Sequence, residues 1–105
     1  IMETFVGMEL KKLISFSSTN ASLYHFRSPS RHEVDFIIER ADGKLLGVEV
    51  KATGTAESKH FSGLKYLKEK VKEKLTMGIV VYAGNEIVPF GEDFFAVPVS
   101  FLWSH

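Results

Sequence analysis

Apolar residues at the start of the chain recur with helical spacing. At about 100° per residue, Met2, Phe5, Val6, Leu13 and Phe16 share one face, which predicts a helix over about residues 2–16. Glu9 lies in the middle of that face. A carboxylate aimed at a core is costly unless it is paired or coordinates a metal. SFSSTN then reads as a loop, and the period changes to two. Residues 22–27, 33–39 and 45–51 read as three strands, the last two joined by the hairpin turn at Asp42–Gly43. Alternation puts Val34, Phe36 and Ile38 on one face, with Glu33, Asp35, Ile37 and Glu39 on the other. Leu46, Val48 and Val50 likewise oppose Gly47, Glu49 and Lys51.

Helical spacing returns over 57–75, where Phe61, Leu64, Leu67, Val71 and Leu75 form a buried stripe. The apolar run 79–83 reads as an inner strand covered on both faces. Segments 86–90 and 94–99 hold Pro89 and Pro98, which confines them to edge-strand or loop roles. The order predicts an α/β fold, a small mixed β-sheet flanked by two main helices.

At 105 residues, one domain is expected. Thirteen basic residues balance thirteen acidic ones, so bulk charge points to no polyanionic partner. With no Cys, thiolate zinc sites, disulfides and Cys nucleophiles are excluded. The expected location is cytoplasmic, with no membrane partner, because no apolar run reaches the ~18–20 residues of a span. The chain opens with Ile1, which suggests a piece of a longer protein.

Asp35 and the triplet Glu49-Val50-Lys51 carry the chemistry. Glu49 and Lys51 are two apart and project from one side of a strand. If Asp35 faces that side, two carboxylates and an ammonium converge. Such a set suits a hard cation, Mg²⁺ or Mn²⁺, which takes oxygen ligands and keeps several waters. The plain alternative is an ordinary half-exposed strand.

Asp35 followed by Glu49-Val50-Lys51 on the next strand, within a helix–three strands–helix–strand core, resembles the PD-(D/E)XK nuclease-like superfamily of restriction-endonuclease-like fold. EVDFIIERADGKLLGVEVKAT, the opening FVGMEL and the closing FFAVPVSFLW resemble the C-terminal domain of unknown function of prokaryotic AAA+ ATPases. The resemblance covers nearly the whole chain. It implies metal-dependent phosphodiester hydrolysis on DNA, with Asp35 and Glu49 as metal ligands and Lys51 as the catalytic lysine. It also implies that the Val50 carbonyl and Glu9 are further ligands. ATP would bind only in the missing ATPase portion of the chain, and an oligomer is possible. The sequence departs from the pattern at Val34, where the motif's name has Pro, and in lacking any Gln beside Tyr66 on the second helix.

Lys59, Arg31 and His32 are the substrate-contact candidates. Arg31 and His32 lie in the loop before the second strand, and Lys59 begins the second helix. His25, His60 and His105 complete a scattered set of histidines without zinc-binding spacing. The lysines of the second helix, interleaved with Glu69 and Glu73, fit a solvated face with local ion pairs better than a nucleic-acid surface. Phe94, Phe95, Phe101 and Trp103 suit internal packing better than base stacking. Two readings stand: a metal-dependent nuclease domain, and a non-catalytic DNA- or protein-binding module of the ATPase.

Overall fold

The computed structural model describes residues 1–16 and 20–103, without the side chains of Phe16 and Trp103. Residues 17–19 of the SFSSTN loop, and His105, lie outside the described residues. The elements are α1 (Met2–Phe16), β1 (Ala21–Arg27), β2 (Glu33–Arg40), β3 (Leu45–Lys51), α2 (Ser62–Val71), β4 (Leu75–Tyr82), β5 (Val88–Pro89) and β6 (Phe94–Pro98). Six strands form one mixed sheet in the order β1-β2-β3-β4-β6-β5. The β1–β2 and β2–β3 pairs are antiparallel, β3–β4 and β4–β6 parallel. The parallel β3–β4 pair needs a long connection, and α2 lies within it.

The two faces carry separate apolar clusters. On one, Val34, Ile37, Leu75, Val80, Tyr82 and Ala96 pack with Phe61, Leu64 and Leu67 of the α2 region. On the other, Phe36, Val48 and Val81 pack with Val6 and Leu10 of α1. Val80 and Val81 enter opposite clusters, so β4 is covered on both faces as its apolar run predicts. In α1, Leu13 is exposed and Leu10, one turn after Val6, is buried in its place. Gly7 lets α1 come down on the sheet, since a Cβ there would meet the Phe36 ring at 2.9 Å.

Three expectations are corrected. The second helix does not run unbroken over 57–75. It begins with a 3-10 turn over Ser58–Phe61 and stops at Val71, where Lys72 adopts a positive φ of 56°. Leu75 is buried as the first residue of β4. The segment 94–99 is not at an edge. It supplies β6, hydrogen-bonded between β4 and β5, because Pro98 stands at its last position and interrupts little of the ladder. Finally, Val34 does not share a face with Phe36, since it packs under α2 while Phe36 packs under α1.

The register explains that last reversal. Tyr24 pairs with Ile37 and Phe26 with Val34, so one residue of β1 (His25) faces two of β2 (Asp35 and Phe36). This is a β-bulge, which shifts the strand's side-chain phase and re-aims what it carries. Asp35 is at the bulge.

Candidate metal centre

The β2–β3 ladder is regular from Glu39↔Leu45 to Phe36↔Val48, and its register goes no further. Beyond it, side chains connect the strands. The Asp35 amide donates to Glu49 Oε1 at 2.8 Å, and the Val50 amide donates to Asp35 Oδ2 at 2.8 Å. Each carboxylate therefore accepts from the opposite strand's backbone. Lys51 Nζ stands 3.5 Å from Glu49 Oε2. The Glu49 side chain is only 12% exposed, while Lys51 is 39% exposed.

This environment is poor for a second negative charge. Burial first, and then the Asp35 carboxylate beside it, raise the Glu49 pKa from its ordinary 4.5 to about 7. The Asp35 amide and the Lys51 ammonium pull the other way without cancelling the rise. Two close carboxylates served by one ammonium suit a divalent cation, which would replace the proton. One oxygen of each acid is held by a backbone amide, and the second oxygen of Glu49 faces Lys51 Nζ. Carboxylate oxygens are the donor type that a hard divalent cation takes, so Asp35 and Glu49 are the residues here that could hold one.

Glu9 is not assembled with them. It pairs with Lys12 at 3.1 Å with its side chain 13% exposed. Among the described residues, no three His, Asp or Glu side chains form a metal-holding group. Gly47 leaves no room near Glu49, since a Cβ there would meet Leu64 Cδ2 at 2.5 Å.

The substrate-contact candidates spread over the loop and α2. His32 is stacked on Tyr66, with ring centroids 4.2 Å apart and 7° between planes. Its Nδ1 is 2.9 Å from Ser30 Oγ, and Ser28 Oγ accepts from the His32 amide. Hydrogen bonding to Ser30, with help from Lys70, lowers the Tyr66 pKa. Arg31 is exposed and holds a positive φ of 67°. Lys59 is exposed at the 3-10 turn before α2. The ion pairs expected along α2 do not form among the described residues. Lys68 donates to the Leu75 carbonyl, Lys65 to Ser58, and Lys70 lies over Tyr66. Phe94 packs edge-on against Phe61, as internal packing requires, whereas Phe101 is exposed.

Sequence reasoning passed over His25. Its Nδ1 lies 2.5 Å from the Asp35 carbonyl oxygen, and its ring is 5.3 Å from that of Phe36. Its importance depends on the bulge, which no local pattern reveals.

A family model described as a domain of unknown function, DUF4143, matches residues 1–102. No curated protein matches the chain. Among solved structures, the fold is similar to part of a chain in an assembly of Thermococcus gammatolerans McrB AAA+ hexamers with bound McrC. The TM-score is 0.55 at 10% identity, over 92% of this chain and 26% of that one. This chain thus spans about a quarter of that chain's length.

Proposed function

The chain belongs to the DUF4143 domain family, and we propose that it is a nuclease-like domain that binds a divalent cation and hydrolyses phosphodiester bonds of DNA. The observation that carries this reading is the crossed pair of acids, each fixed by the other's strand, with Lys51 at 3.5 Å. Asp35 and Glu49 would hold the cation, and the Val50 carbonyl is a further donor on the same strand. Bound there, Mg²⁺ or Mn²⁺ supplies Lewis-acid polarisation of a phosphate oxygen. Lys51 orients the attacking water and offsets charge that develops at phosphorus. Water forms the new bond to phosphorus as one ester bond breaks, and a proton passes to the departing sugar oxygen. Arg31, His32 and Lys59 are the proposed phosphate contacts.

The likeness to part of a longer chain in an AAA+ assembly supports work beside an ATPase module, in an oligomer, with ATP bound outside this chain. No helix among the described residues is long and apolar enough to cross a membrane. A second reading rests on the Lys51–Glu49 ion pair. In it, the charges form a closed set, and the domain is a DNA- or protein-binding module that catalyses nothing.

Mn²⁺ calorimetry separates the two. The nuclease reading expects saturable binding by the wild type, lost in Asp35→Ala/Glu49→Ala with the circular dichroism spectrum unchanged. A DNA cleavage assay with Lys51→Ala as control then follows. Absence of binding, or equal binding by the folded double variant, overturns the nuclease reading and leaves the module.

A further inference from the structure

A bulge this close to a pair of acids must be held in one arrangement, because its sliding would turn Asp35 away from β3. Neither His25 nor Asp35 has a partner in the β1–β2 ladder. The two instead bond to each other through the imidazole Nδ1 and the Asp35 carbonyl. A carbonyl oxygen only accepts, so Nδ1 carries the hydrogen. Asp35 is then fixed at three points: its carbonyl by His25, its amide by Glu49, and its carboxylate by Val50. Two of these reach across to β3, and His25 alone reaches back to β1. Tilted against Phe36 on the α1 side, the imidazole is itself held in orientation.

We propose that His25 is a positioning residue, whose Nδ1–H locks the β2 bulge and thereby aims the Asp35 amide and carboxylate at Glu49 and Val50. The inference rests on the metal-centre reading for its functional meaning, and on the bulge alone for its geometry. It acts at one remove from the cation. Groups that orient metal ligands in this way typically change metal affinity by about 10–100-fold when removed.

Two conservative variants distinguish the atom that matters. Asn places an N–H near the position of imidazole Nδ1, whereas Gln places its amide near Nε2. Exchange of the Asp35 and Val50 amides, followed by NMR on metal-free protein, reads the lock directly. His25→Ala and His25→Gln are expected to lose about tenfold or more of that protection, with the Val80 amide unchanged as a fold control. His25→Asn is expected to keep it. In wild type, the imidazole ¹⁵N shifts should report a hydrogen on Nδ1. Mn²⁺ affinity should fall at least about tenfold in the Ala and Gln variants and recover in the Asn variant. Unchanged protection in His25→Ala, or a neutral imidazole with its hydrogen on Nε2, overturns the lock. If wild type binds no Mn²⁺ while the exchange pattern holds, the metal reading fails and the lock stands. If wild type and His25→Ala bind Mn²⁺ equally well, the metal reading stands and the positioning role fails.

Discussion

The two ends of the β2–β3 hairpin are built from the same materials in opposite ways. At the closed end, the backbone does the joining. Arg40 donates its amide to Lys44 and Gly43 donates to Arg40, with Gly43 at a φ of 86°. Asp42 adds side-chain bonds to the Lys44 amide and the Arg40 guanidinium, in solvent. At the open end, the ladder stops and two half-buried carboxylates bridge the strands. An exposed aspartate can support a turn at little electrostatic cost. Two acids brought together under partial burial cannot, and that conflict raises the Glu49 pKa. The open end therefore brings like charges together, which on the proposed reading a cation would offset, whereas the closed end does not.

The comparison can be broken most severely at Gly63. A Cβ there would lie 1.9 Å from the Glu33 carbonyl, a backbone atom with little freedom to move. Gly63→Ala should push α2 off the start of β2 and destabilise the fold by about 3 kcal/mol in urea denaturation.

Next comes pH. Between pH 4.5 and about 7, folded Glu49 keeps a proton that the unfolded chain has lost. That contribution to stability is fully present below about 4.5 and is lost as pH rises through about 7. It is on the order of 2 kcal/mol once solvent screening is allowed for. Glu49→Gln should flatten this part of the stability–pH curve. Metal binding should release protons near pH 7, visible as a buffer-dependent heat.

Asp35→Ala removes the acceptor for the Val50 amide and should cost about 1.5 kcal/mol at pH 5, where Glu49 is protonated. The cost should shrink at pH 8, because the same change also removes the charge facing Glu49. At the closed end, Gly43→Ala should cost only about 1 kcal/mol, the penalty for a side chain at positive φ. Its effect on Mn²⁺ affinity should be nil, since the turn lies at the opposite end of the ladder.

What was legible in the sequence follows the same division. The Asp42–Gly43 turn, the strands around it and the pairing of Glu49 with Lys51 on one face depend on neighbours in the chain, and they could be read. The exchange of Val34 to the α2 side depends on the pairing of β1 with β2, which alternation within β2 does not report. The same is true of His25. Leu75 fits a helical stripe by spacing, but the positive φ at Lys72 ends the helix before it. Pro98 suggested an edge because its position within the strand, rather than its presence, decides whether the ladder suffers. Asp35 was readable as a candidate from the resemblance. Its crossed bonds with Glu49 and Val50 needed the three-dimensional register.

The acids belong to one hairpin, and this has a consequence for the order in which the domain comes together. Their bonds join residues 14 and 15 apart in the chain, while the Thr76 hydroxyl that ties β4 to the Leu45 carbonyl reaches across 31. Closing the shorter loop costs less chain entropy, although the difference grows only logarithmically with length. The hairpin with its acid pair can therefore form before α2 and β4 dock. A chain caught at that stage carries the carboxylates side by side before the burial that raises the Glu49 pKa. The burial that keeps a proton on Glu49 comes only with the finished fold.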